Sequence, residues 1–159
     1  MAFPQIGAPA PDFSLADQHG DLCTLADCRG RWVVLYFYPK AMTPGCTVQA
    51  CGLSEQHAAL EAAGALAIGI SPDPVARLAK FAEKHRLAVR LLSDADHAVA
   101  EQYGVWGLKK FMGREYMGIL RTTFIIDEQG RVAHSMDRVR TKTHDQDVLA
   151  WLADNAKNR

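Results

Sequence analysis

The 159-residue chain has no apolar stretch approaching the roughly 20 residues that span a membrane. It has no net charge either. Its 18 Lys and Arg balance 18 Asp and Glu, so nothing in it speaks for nucleic acid or an anionic lipid surface as a partner. The segment from Met1 to Gln5 carries neither the basic nor the apolar part of an export signal. No internal repeat and no low-complexity linker is present, and Pro and Gly are scattered as turn punctuation. The six His lack metal-ligand spacing, which leaves them without assigned chemistry. There is no C-x-x-C, the motif of thioredoxin-type dithiol oxidoreductases. These absences point to a cytoplasmic protein whose four cysteines are reduced at rest. The length suits one well-buried domain, residues 1–159, and is short for two.

What is there begins with a run of strand signals. Residues 12–15 and 22–25 read as short strands around the turn His19-Gly20-Asp21. Residues 32–38, Trp-Val-Val-Leu-Tyr-Phe-Tyr, are continuously apolar and rich in β-formers, as a strand buried on both faces should be. A helix is expected from about residue 45 to 63, and a second buried strand over 65–71. Residues 74–85 read as a helix with Ser71 or Asp73 near its cap, 90–93 as a short strand and 96–103 as a short helix. A hairpin should join 119–127 to 132–136, followed by a helix over 144–156. Lys109, Lys110 and Arg114 read as a basic cluster on a solvated loop. Strands alternating with helices give the α/β class: a mixed sheet with helices packed on it, and a right-handed crossover joining the Trp32 and Ala65 strands.

The most informative stretch is residues 39–51, Pro-Lys-Ala-Met-Thr-Pro-Gly-Cys-Thr-Val-Gln-Ala-Cys. It sets Cys46 where a strand hands over to a helix. A cysteine there sits among unpaired backbone N–H groups and the positive end of the helix dipole. Both favour the thiolate, which is the reactive form. The position suits a nucleophile or a redox centre.

Pro39, Thr43 and Cys46 reproduce a Pro-x-x-x-Thr-x-x-Cys signature, and through it the chain resembles the peroxiredoxins. Thr43-Pro-Gly-Cys-Thr47, with Cys51 five residues after Cys46, resembles the peroxiredoxin Q subfamily, also called bacterioferritin comigratory protein. Residues 7–15, 103–106 and 121–127 resemble further blocks of that family, so the likeness covers nearly the whole chain. Gln49 departs from it, standing where the family usually has Glu; an amide can still hydrogen-bond the active-site arginine.

The resemblance implies a thioredoxin-like fold, with a central mixed sheet flanked by helices and an N-terminal β-hairpin extension. It implies an antioxidant thiol peroxidase acting on hydrogen peroxide and organic hydroperoxides, with no haem, flavin or metal cofactor. Thioredoxin is the implied reductant, and the chain is expected to act as a monomer. Cys46 is then the peroxidatic nucleophile and passes through a sulfenic acid. The Thr43 hydroxyl can bond a peroxide oxygen, and Pro39 can wall the pocket without adding a competing N–H. The family adds Arg121, expected on a later strand, whose permanent charge holds the sulfur ionised and orients the peroxide. Cys51 is the implied resolving cysteine. On an ideal helix its Cα lies roughly 8.5 Å from that of Cys46. A disulfide needs less than about 7 Å, so the first turns of the helix have to open.

Other readings remain at this point. Cys23 and Cys28 repeat the C-x4-C spacing and read as structural or incidental. Together with Cys46 and Cys51 they leave open a four-thiolate zinc site, although that needs a compact knuckle where strand and helix are expected. A thiol-disulfide oxidoreductase without peroxidase activity is the alternative enzyme. A non-catalytic interaction domain leaves the Thr43–Cys46 arrangement unexplained.

Overall fold

The computed structural model describes residues 3–156; Met1 and Ala2, part of the segment read for an export signal, lie outside the described residues. In chain order the elements are β1 (Ser14–Ala16), β2 (Leu22–Thr24), β3 (Trp32–Phe37), α1 (Pro44–Glu55), α2 (His57–Ala62), β4 (Ala65–Ser71) and α3 (Val75–His85). They continue with β5 (Arg90–Ser93), α4 (Ala98–Gln102), β6 (Trp106–Phe111), β7 (Arg114–Ile119), β8 (Thr122–Ile126), β9 (Val132–Met136) and α5 (His144–Asn155). A 3-10 turn, Ala26–Cys28, follows β2.

Five strands form one sheet in the order β5-β4-β3-β8-β9. β3 runs parallel to β4 and antiparallel to β8. Its central place explains its composition, because every residue of β3 is buried and faces protein on both sides. Val33, Leu35 and Phe37 point into one apolar layer, shared with α4 and with the β1–β2 hairpin that extends the fold at its N-terminus. Val34, Tyr36 and Tyr38 point into the other layer, shared with α1, α3 and α5. A central mixed sheet flanked by helices is the arrangement the resemblance implies. No helix among the described residues is long and apolar enough to cross a membrane.

Several boundaries differ from the sequence reading. The helix expected over 45–63 is two, with a one-residue kink at Gln56. Just before the kink, Ser54 Oγ accepts the Ala88 N–H at 2.7 Å, tying the end of α1 to the segment entering β5. Pro74, rather than Ser71 or Asp73, holds the N-cap position of α3. The Asp73 carboxylate is engaged instead by the Ala41 N–H and the Ser71 hydroxyl, each at 2.7 Å.

The largest difference is the β6–β7 hairpin, which lies where a basic loop was expected. Leu108, Phe111, Met112 and Met117 are exposed on it, and the hairpin meets the core at its base, through Trp106 and Ile119, so burial imposes no apolar alternation along its length. Its turn, Met112-Gly113, places both residues at positive φ, the two-residue hairpin geometry usually announced by Asn-Gly. Residue 119 consequently ends β7 rather than beginning the next strand.

Gly69 in β4 is where backbone and side chain approach most closely. A Cβ there would stand 2.6 Å from Tyr36 Cζ and 2.7 Å from its hydroxyl oxygen. Tyr36 is itself buried and hydrogen-bonded to nothing through its hydroxyl among the described residues, so the ring has nowhere to retreat. Gly69→Ala is expected to destabilise the fold by about 1–3 kcal/mol. Chemical denaturation followed by tryptophan fluorescence checks this, and an unchanged midpoint would disprove the close approach.

Candidate active site

The site is assembled where β3 leaves the sheet. Pro39 and Lys40 turn the chain, Thr43 takes the N-cap position with extended backbone, and Pro44 starts α1. Proline suits that first position, since its missing N–H would have had no helical acceptor. Cys46 is the third residue of α1, so its own N–H also has no carbonyl behind it in the helix. Its side chain is buried in the layer shared with Tyr36 and Tyr38.

Arg121 completes this side. It lies in the short link between β7 and β8, not on a strand as expected. Its Nη2 donates to Cys46 Sγ at 3.3 Å, and its Nη1 donates to Gln49 Oε1 at 2.6 Å. Gln49 is one helical turn beyond Cys46, so the arginine bonds two positions on the same face of α1.

Behind Gln49 stands a residue that the sequence reading passed over. His144, first residue of α5, is buried; its Nδ1 lies 3.2 Å from Gln49 Nε2 and its Nε2 lies 2.8 Å from Thr123 Oγ1. The network fixes its own polarity. Gln49 Oε1 is taken by Arg121, so Nε2 donates to His144 Nδ1, and His144 Nε2–H donates to Thr123. Burial pushes the imidazole pKa down to about 4, with the Arg121 charge adding to the effect against Asp147 and Asp145. Spacing gave no hint of this role, since 95 residues separate His144 from Gln49.

The other expected residues are placed as follows. The Thr43 hydroxyl donates to Lys40 O at 2.8 Å and makes no capping bond to the helix. Its lone pairs remain able to accept a proton from a bound molecule. Pro39 lines a cleft of about 300 Å³ with Lys40, Trp106, Lys109, Tyr116 and Met117. Lys109, expected in a solvated loop, is half-buried, and its Nζ donates to Ile119 O at 3.0 Å. Burial first, and then the Arg121 charge, lower its pKa, while Cys46 acts in the opposite sense; the ammonium therefore belongs to the site's surroundings. Cys51 lies on the same unbroken α1, half-buried and free, its thiol pKa pushed up by burial and by Glu55.

Cys23 and Cys28 are absent from this site. They lie in the layer on the opposite face of the sheet from Cys46. The two C-x4-C pairs therefore cannot share one zinc ion, and the four-thiolate reading is discarded.

Residues 6–135 match the model of the AhpC/TSA family. The chain is 52% identical over 150 residues to peroxiredoxin Bcp of Escherichia coli strain K12, covering 94% of this chain and 96% of that one. A structure of Xanthomonas campestris peroxiredoxin Q superposes with a TM-score of 0.88 at 34% identity, covering 98% of each chain. A trapped intermediate/ligand complex of Xanthomonas campestris bacterioferritin comigratory protein, solved for insight into its alkyl peroxide reduction activity, gives a TM-score of 0.88 at 33% identity, covering 98% of this chain and 99% of that one.

The buried imidazole has a consequence for stability. In an unfolded chain it takes a proton near pH 6.5, whereas the folded chain resists until about 4. Between those values the unfolded state binds the extra proton, so acid favours unfolding. The neutral contact contributes fully above 6.5 and is progressively lost below it. From pH 6.5 to pH 5 the wild type should lose about 2 kcal/mol more than His144→Gln. Urea titrations at the two pH values measure this, and parallel losses in both proteins would place the imidazole in water.

Proposed function

The chain belongs to the AhpC/TSA family as a peroxiredoxin of the Bcp/Q kind, and we propose that Cys46 is the nucleophile of a thioredoxin-dependent reduction of hydrogen peroxide and organic hydroperoxides. It is a thiol peroxidase by family; the residue roles and the electron donor are our reading. The observation that carries it is the Arg121 guanidinium 3.3 Å from the Cys46 sulfur at the start of α1.

The steps follow from these groups. The sulfur attacks one peroxide oxygen, an S–O bond forms and the O–O bond breaks. The second oxygen leaves with a proton as water, or as an alcohol from an organic hydroperoxide. Negative charge moves along the S–O–O axis during this step. Arg121 and the open N–H groups of α1 are fixed donors aimed where that charge moves. Thr43, its hydroxyl proton held by Lys40 O, accepts the peroxide's own O–H and fixes its direction. Pro39 walls the pocket and offers no competing donor. The organic part of a larger hydroperoxide fits the cleft beside Pro39, among Trp106, Tyr116 and Met117.

The second half-reaction brings Cys51 to the Cys46 sulfenic acid. Its thiol attacks the oxidised sulfur, water leaves and an intramolecular disulfide forms. Both cysteines stand on an intact α1, and five residues of ideal helix hold their Cα atoms beyond about 7 Å. The start of α1 therefore unwinds at this step. A dithiol such as that of thioredoxin then reopens the bridge. The chain works as a monomer in a reducing, cytoplasmic setting, where free thiols are the resting state.

Thioredoxin-coupled peroxide consumption tests the reading. Cys46→Ser should abolish turnover, because an alcohol cannot supply an ionised nucleophile near neutral pH. Near-wild-type turnover in that variant would end the assignment. Arg121→Ala should slow sulfenic acid formation by about 100-fold or more while leaving the domain folded. Cys51→Ser should still react once with peroxide, accumulate the sulfenic acid and fail to recycle. Recycling at the wild-type rate would exclude Cys51 as the resolving residue.

A further inference from the structure

The same C-x4-C spacing occurs twice in this chain, and the fold treats the two cases in opposite ways. On α1 it keeps Cys46 and Cys51 apart. At Cys23 and Cys28 a strand ends and a 3-10 turn begins, and this fold-back brings the side chains together. Both side chains are buried in one apolar layer, and Cys28 Sγ donates to Thr24 O at 3.6 Å, folded back against the end of the strand that carries Cys23. Nothing in the peroxidase reading uses either residue.

The surroundings of this pair are charged. Arg90 Nε is ion-paired with Asp17 Oδ2 at 2.9 Å, and its Nη2 reaches Leu22 O at 3.4 Å, next to Cys23 in sequence. Arg90 and Arg31 favour an anion on Cys28, and Asp27 opposes it. At Cys23 the Arg90 charge is opposed by Asp17. The strongest influence on each thiol is the other. The neighbouring Cys23 lowers the pKa of Cys28 against burial, and Cys28 together with burial raises that of Cys23. Of the two, Cys28 has the more open place, on the turn rather than within the strand. Cys28 also lies at the end of a turn whose Ala26, Asp27 and Arg29 are exposed, so a small opening of that turn admits a molecule the size of hydrogen peroxide.

We propose that Cys23 and Cys28 form a second redox-active dithiol, closed to an intramolecular disulfide by hydrogen peroxide without the participation of Cys46. The Cys28 sulfur attacks one oxygen of the peroxide, the O–O bond breaks and water leaves, giving a sulfenic acid. The Cys23 sulfur then attacks that oxidised sulfur, its proton leaves with the hydroxyl as a second water, and the S–S bond forms. Two thiols lose two electrons and one peroxide gains them. No helix has to unwind for this bridge, because Cys28 is already folded back against the end of the strand that carries Cys23. A dithiol reductant reverses it.

The test uses the full chain carrying Cys46→Ser and Cys51→Ser, so that its readout is independent of the role proposed for Cys46. After hydrogen peroxide, denaturing alkylation and peptide mapping should find Cys23 bridged to Cys28 within one chain and released by dithiothreitol. In that background, Cys23→Ser should stop at a Cys28 sulfenic acid trapped by dimedone, and Cys28→Ser should leave Cys23 a free thiol. Arg90→Gln should slow closure several-fold, with circular dichroism confirming the fold. The same peptide pair should appear in the wild-type chain, a measurement that stands if the double variant fails to fold. Full alkylation of both cysteines after excess peroxide overturns the proposal. So does a bridge between chains, or oxidation of Cys23 ahead of Cys28.

Discussion

A guanidinium set 3.3 Å from a buried sulfur is the contact on which the rest of this site depends. A positive charge on a long side chain does not stay in place by itself, since an arginine has many rotamers to lose. Here the far side of Arg121 is fixed at 2.6 Å by Gln49, Gln49 by His144, and His144 by Thr123 at the start of β8. The chain of bonds runs from α1 through α5 into the central sheet and returns close to Arg121 in sequence. It has one polarity throughout, and a protonated imidazole would break it by setting a donor against the Gln49 amide donor. Burial keeps the ring neutral. Because Gln49 is neutral too, it holds Arg121 without compensating its charge, and the guanidinium faces the sulfur with its charge undiminished.

Much of this was legible in the sequence, and the reasons differ from residue to residue. β3 could be read because a strand buried on both faces has to be apolar at every position. The start of α1 could be read because Pro44, Gly45 and Cys46 are local punctuation, and Pro39, Thr43 and Cys46 are a local pattern. Arg121 came only from resemblance, since the contact with Cys46 spans 75 residues. His144 left no trace, because its neutral, buried state comes from elements that meet only in the folded chain. The β6–β7 hairpin was missed for the converse reason. It is exposed, so burial wrote no period into it, and its Met112-Gly113 turn lacks the usual Asn.

That exposed hairpin matters to the site it borders. Trp106, Lys109, Tyr116 and Met117 come from it, and Pro39 from the β3–α1 turn, so the cleft joins a rigid wall to a lightly packed one. Regions with few buried contacts are the ones that move at low free-energy cost. A wall of this kind can adjust to organic groups of different size without disturbing the Cys46–Arg121 contact, which is anchored on the other side through α1 and α5.

On the proposed mechanism α1 carries two opposed demands: it has to aim the Cys46 sulfur while the peroxide is cut, and let it go when Cys51 attacks. The two ends of the helix are built differently, and this reconciles them. Toward the C-terminal half, Leu53 is fully buried, and Gly52 lets Asp145 of α5 come so close that a Cβ would stand 3.2 Å from its carboxyl carbon. The first turn buries Cys46 but has no side-chain cap. Thr43 sits at the N-cap, yet its hydroxyl is committed to Lys40 O and makes no capping bond. An absent cap of this kind typically forgoes about 1 kcal/mol of helix stability. The first turn is held by the burial of Cys46, by the Arg121 contact with its sulfur and by the bond from the Thr47 hydroxyl to Thr43 O. On the proposed mechanism, adding an oxygen to the sulfur places a new atom between it and Arg121. The proposed chemistry would thus disturb the contact that keeps the helix start closed, at the step where Cys51 needs it open.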